Sequence, residues 1–292
     1  MVLYTPQPSW RYAIFQVPAF LAVVFLTLAL LTNLWGWFPP TVSVKMMLDL
    51  SSSTYQGSDF RGVGTLMAAE IEAVKAYARE NAATSRPNSL SLSGFADQVI
   101  PITSDFASDA VAITSALDTV VQPAIALQVG SGTNLDLAVK QGLASLSSQS
   151  KCKELLVITD GEAHLDQVQL IRAQDSGVKL NFLIVRPTVP ANLARAAEFT
   201  RGVALPTAAS NIQDLVANQL RQRFNSNSKF VNLFWGLAFI AVMWMLVLPL
   251  DRFLQRQWQI RFDFAGRLAL FNALFWTLLT LWWWGLPVVQ GC

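Results

Sequence analysis

Five oxygen-bearing side chains carry the chemistry of this sequence: Asp49, Ser51 and Ser53 in "LDLSSST", Thr133 in "GSGTNLD", and Asp160 in "VITDGE". Three hydroxyls and two carboxylates make a set of hard donors. Such a set suits Mg²⁺, with Mn²⁺ and Ca²⁺ as the other candidates. Where an extended run ends in Asp-x-Ser-x-Ser, alternate side chains turn toward one point as the chain leaves the strand. An ion held mostly by neutral hydroxyls stays electron-poor and seeks an acidic ligand. Gly130 and Gly132 allow the threonine loop to approach closely. Each fragment alone has a plain alternative, a solvated loop after a strand. All three in this order, inside one alternating pattern, argue for a site.

The elements that must position these residues lie between about Pro39 and Lys229. "TVSVKMMLDL", "KELLVITD" and "VKLNFLIVRP" are continuous apolar runs, as expected of strands covered on both faces. "SLSLSGFA" alternates as a half-buried strand, with "QVIPIT" as its hairpin partner. Between them stand helical stretches. "DFRGVGTLMAAEIEAVKAYAREN" has Val63, Leu66, Met67, Ile71 and Val74 at helical spacing, which puts the glycines of "RGVGTL" inside a helix. "ASDAVAITSALDTVV", "TNLDLAVKQGLASLSSQ", "LDQVQLIRAQDSG" and "SNIQDLVANQLRQRF" are the other helices, the last with Ser210 or Asn211 as its cap. Strands alternating with helices predict an α/β, doubly wound, mostly parallel, Rossmann-like sheet. Ligands of such sheets bind beyond the carboxyl ends of the strands, where Asp49 and Asp160 both fall.

The residues Asp49-x-Ser51-x-Ser53, Thr133 and Asp160-Gly161 resemble the metal-ion-dependent adhesion site of the von Willebrand factor type A (VWA) domain. The resemblance covers about Thr41 to Phe224. It implies that Ser51, Ser53 and Thr133 touch the metal and that Asp49 and Asp160 act mainly through water. A glutamate or aspartate of a partner protein then completes the octahedron. "TDGEAH", with Glu162 and His164, is similar to bacterial membrane-anchored members encoded beside MoxR-type AAA+ ATPases. That likeness implies a role in assembling or activating a larger complex, with a cytoplasmic MoxR-type ATPase as a possible second partner. The chain departs from the usual layout of that group by placing two spans after the domain.

The composition points to a membrane: 53% of residues are hydrophobic and only 14% charged, and the apolar excess sits at the two ends. Three runs are long enough to cross a bilayer, about Tyr12–Phe38, Phe230–Leu250 and Leu268–Val288. The expected organisation is an anchor at 1–38, the VWA domain at 39–229, a span at 230–250, a basic loop at 251–267, and a last span with a short tail at 268–292. A cleaved signal peptide would have a shorter apolar core and a small-residue cleavage site, whereas the first run ends in Trp35, Trp37 and Phe38. Arg252, Arg256, Arg261 and Arg267 place the short loop in the cytoplasm. The N-terminus then lies inside, and the domain faces a periplasm or a lumen, as in a bacterial inner membrane or a thylakoid.

A net charge of +2 gives no reason to expect nucleic acid. The single histidine, His164, excludes a histidine-based zinc cluster. No span carries a charge that would mark an ion path. Cys152 and Cys292 are read as two independent thiols, with a bridge between them as the alternative. The expected function is non-enzymatic: a membrane-anchored module whose cation captures an acidic residue of a partner. The alternatives are an accessory subunit of a transporter or channel, and a metal-assisted hydrolase in which Glu162 is the one nearby candidate for proton transfer.

Overall fold

The run Val42–Asp49 forms strand β1, and all eight of its positions are buried. That is the expected state of a strand with neighbours on both edges and helices on both faces. The structure, a computed structural model, describes residues 9–35, 37, 40–54, 62, 65–161, 164–206, 215, 220, 224 and 228–284. The chain forms two compact units, Pro40–Asn225 and the terminal segments Met1–Pro39 with Ser226–Gly291.

In the first unit, β1 is joined by β2 (Ser89–Phe95), β3 (Val99–Pro101), β4 (Cys152–Thr159), β5 (Val178–Ile184) and β6 (Ala204–Pro206). The order across the sheet is β3-β2-β1-β4-β5-β6. Every pairing is parallel except the β2–β3 hairpin at one edge. Helices α2 (Leu66–Ala82) and α3 (Ala110–Val120) contribute to the core on one face, with Val44, Met46 and Leu48 of β1 and with Leu220 and Phe224. Helices α5 (Leu135–Ser147), α6 (Gln167–Asp175) and α7 (Ala191–Phe199) contribute to the core on the other face, with Met47, Leu155 and Val157. A short helix, α4 (Ile125–Val129), precedes the threonine loop. Fully burying each such Val, Leu, Met or Phe contributes roughly 1.5–3 kcal/mol.

Three expectations change. The helix expected to include "RGVGTL" starts at Leu66 among the described residues, because the Thr65 hydroxyl accepts from Ala68 N and caps it there. Strand β2 is not half-exposed: Ser91 and Ser93 are buried, since β2 is an interior strand covered on both faces. Ser91 is satisfied by the buried Lys45, whose Nζ donates to its hydroxyl at 2.9 Å. Burial lowers the Lys45 ammonium to about 8. Finally, α7 and β6 occupy a stretch whose sequence gave no element. The helix with the Ser210 or Asn211 cap lies mostly outside the described residues.

In the second unit, α1 (Ala13–Trp35), α8 (Ser228–Met245), α9 (Val247–Gln257) and α10 (Phe262–Trp284) are helical. Three stretches, Ala13–Trp35, Phe230–Gln257 and Phe262–Trp282, are long and apolar enough to cross a bilayer. Small residues are buried where these helices meet, Ala22, Ala29, Ala241, Ala269 and Ala273 among them, as close helix packing in lipid requires. Trp244 Nε1 donates to Thr277 Oγ1 at 3.1 Å. Helix α9 takes up residues 251–257 of the expected basic loop and α10 takes up 262–267, so the turn itself spans only residues 258–261.

Candidate metal centre

Parallel pairing of β1 with β4 sets Leu48 opposite Ile158, so both strands end together. The consequence is direct: Thr159 Oγ1 donates to Asp49 Oδ2 at 2.6 Å. Ser51 N donates to Asp49 Oδ1 at 2.9 Å. Both oxygens of this buried carboxylate are therefore held from within the protein. Thr159 Oγ1 also accepts from Gly161 N at 3.2 Å, which ties the Asp160-Gly161 turn to the same point.

The serine loop is curled by Thr54, whose hydroxyl reaches the carbonyls of Asp49 (3.1 Å) and Ser51 (2.9 Å). The curl brings the Ser51 and Ser53 hydroxyls to 3.0 Å from each other. Ser52 N and Oγ both donate to the Ser131 carbonyl, at 3.1 and 3.0 Å, which joins this loop to the threonine loop. There the Asp97 carboxylate accepts from Ser131 N and Gly132 N at 2.9 and 3.1 Å. A Cβ at Gly130 or Gly132 would collide with that carboxylate, and Gly130 has φ 88°. The close approach that these two glycines permit is to Asp97. Thr133 follows, two residues from the Ser52 contact, and Asn134 caps α5 by accepting from Leu137 N at 3.0 Å.

Asp160 is 2% exposed, and Arg186 Nη2 stands 3.6 Å from its Oδ2. From α2, Glu70 is fully buried. Burial pushes the Asp49 carboxyl above its ordinary range. The hydrogen bonds from Thr159 and Ser51 oppose that push, and the negative charge of Asp160 adds to it. Glu70 is pushed up strongly, by burial first and then by the charges of Asp49 and Asp160. Among the described residues no three carboxylate, thiol or imidazole groups converge to hold an ion by themselves. Any cation here depends on the hydroxyls.

The donor set fits such an ion. Mg²⁺ takes oxygen ligands at about 2.0–2.1 Å in an octahedron, so adjacent ligands lie about 2.9 Å apart. The Ser51–Ser53 separation of 3.0 Å matches one edge.

No family model and no curated protein sequence matches the chain. Solved structures do. An aerotolerance-related membrane protein from Bacteroides fragilis, carrying multiple mutations to serine, aligns at 17% identity and TM-score 0.49, covering 62% of this chain and 99% of that one. BatB from Bacteroides thetaiotaomicron aligns at 17% identity and TM-score 0.48, covering 62% and 98%. Proximal thread matrix protein 1 from the mussel byssus, with a zinc-occupied MIDAS motif, aligns at 14% identity and TM-score 0.48, covering 61% and 46%.

The sheet-bearing unit is a six-stranded, mostly parallel sheet with helices on both faces, the α/β architecture expected from the sequence. Within it, Asp49, Ser51, Ser53 and Asp160 gather at the ends of two neighbouring strands, and the loop bearing Thr133 is bonded to the serine loop. Glu162 lies outside the described residues, and His164 is exposed. Sequence reasoning missed Thr159, Thr54, Asp97, Glu70 and Arg186. Of these, Glu70 left a trace, since it falls on the inward stripe of α2 with Met67, Ile71, Val74 and Tyr77. Cys152 corrects a further expectation, because it is disulfide-bonded instead of a free thiol. Cys292 lies outside the described residues.

Proposed function

We propose that the sheet-bearing unit is a VWA domain that binds a divalent cation at Ser51, Ser53 and Thr133 and uses it to capture an acidic residue of a partner protein. In this reading Asp49 and Asp160 act through water. One observation carries the proposal: both Asp49 oxygens are engaged by Ser51 N and Thr159 while the Ser51 and Ser53 hydroxyls stand 3.0 Å apart. That division leaves neutral oxygens for the ion. A cation so held keeps most of its charge and offers it to an external carboxylate. The same division supports binding over hydrolysis, since a carboxylate already accepting two hydrogen bonds is a poor general base.

The membrane-length helices anchor the domain, and we place it on the periplasmic or lumenal side by the arginines near the α9–α10 turn. The disulfide at Cys152 fits an oxidising compartment. Assembly or activation of a larger complex, with a cytoplasmic MoxR-type AAA+ ATPase as a second partner, is the role we infer from the motif resemblance.

Crosslinked pull-down of the full-length protein tests the reading. Capture of a partner in Mg²⁺, lost in EDTA and lost in Asp49→Ala, is the expected result. Capture indifferent to both EDTA and the substitution overturns it.

A further inference from the structure

Glu70 stands out on α2 by its polarity. Its neighbours on the buried face are Met67, Ile71, Val74 and Tyr77. It is 0% exposed, and among the described residues neither of its carboxylate oxygens has a hydrogen-bond partner. A carboxyl in that state is among the most costly groups a fold can bury. The charged groups that act on it are Asp49 and Asp160, both of the same sign. Among the described residues the one cationic side chain paired with any of the three acids is Arg186, and it contacts Asp160. Glu70 lies on the face of α2 whose Met67 and Ile71 share a core with Leu48 and Leu50 of the β1 end, and its charge adds to those of Asp49 and Asp160.

We propose that Glu70 is a further acidic group of the cation site, acting on the ion across an intervening water. Among the described residues no three acidic groups hold an ion by themselves, so Glu70 acts in support of the hydroxyls and does not replace them. Acting through water, Glu70 adds a third negative charge behind Asp49 and Asp160. It favours a divalent over a monovalent ion and sets how firmly the ion is held before a partner's carboxylate arrives. The inference rests on the metal-binding reading above and deepens it. It concerns a residue outside the Asp-x-Ser-x-Ser, Thr and Asp pattern.

The test is Mn²⁺ binding to the full-length protein in detergent, followed by electron paramagnetic resonance of free Mn²⁺. Unfolding midpoints with and without the ion are measured alongside. Wild type binds, Asp49→Ala does not, and Glu70→Gln binds at least about tenfold more weakly, the size of effect that groups behind metal ligands typically have. Without metal, Glu70→Gln is at least as stable as wild type, because it removes a buried charge and keeps the volume. Glu70→Met, which replaces the carboxyl with an apolar group of similar length, behaves in the same way and decides the matter if the glutamine variant misfolds. Unchanged Mn²⁺ affinity in either folded variant overturns the role of Glu70 and leaves the metal site standing. Misfolding of both variants also overturns it, since it makes Glu70 a structural residue. Failure of wild type to bind Mn²⁺ removes the site itself and this inference with it.

Discussion

Thr159→Val asks whether the site is built outward from β4. Valine keeps the shape and the β-branch, so strand and packing survive while two hydrogen bonds go. One is the 2.6 Å bond to Asp49 Oδ2, and the other is the 3.2 Å bond from Gly161 N. A bond to a charged acceptor contributes about 1.5–3 kcal/mol, and a buried amide left without an acceptor costs about 1–3 kcal/mol. The expected loss is therefore about 3 kcal/mol, a large share of a typical domain's stability. Cation affinity falls as well, by about 10–100-fold, since Asp49 loses the group that orients it. Tryptophan emission cannot report on this domain, because all ten tryptophans lie outside residues 40–225. Hydrogen exchange of peptides covering β1 and β4, across a denaturant series, reads the stability instead. Exchange unaltered within about 0.5 kcal/mol, together with unchanged Mn²⁺ affinity, would refute the claim that Thr159 holds Asp49 in place.

Two further outcomes follow from buried charge. In EDTA, Asp49 and Glu70 hold their protons more tightly folded than unfolded, so their contribution to stability is greatest below their ordinary values of 3.8 and 4.5. It is lost as pH rises through the raised ones. Wild type should therefore fall progressively behind Glu70→Gln in denaturant midpoint as pH rises above 4.5, and a gap that narrows as pH rises would contradict the sign. Lys45 is the mirror case: burial brings it from 10.5 to about 8, so its contribution is greatest above 10.5 and is lost as pH falls toward 8. Lys45→Met should stabilise the domain at neutral pH by about 1–3 kcal/mol, read by the same exchange measurement. A loss of stability would show that the bond to Ser91 outweighs the cost of burying the ammonium.

What could be read in advance depended on how far apart the cooperating residues are along the chain. Strands β1, β4 and β5 were legible because each is a continuous apolar run. The hydroxyl pair was legible because Ser51 and Ser53 owe their 3.0 Å approach to a local turn. β2 was misjudged because its serines look solvent-facing until Lys45, forty-six residues away, is seen bonded to one of them. The carboxylates' surroundings were least legible. Thr159 meets Asp49 only through strand register, Asp97 meets the threonine loop only through the β2–β3 hairpin, and Glu70 comes within electrostatic reach of both aspartates only when α2 packs on the sheet. In the proposed reading, motif residues define where a cation can sit, while residues outside the motif set the charge around it. Two domains that share Asp-x-Ser-x-Ser, Thr and Asp can then differ widely in cation affinity. The place to look for that difference is the first turns of the helix after β1, where a buried glutamate is visible as one acidic position on an otherwise apolar stripe.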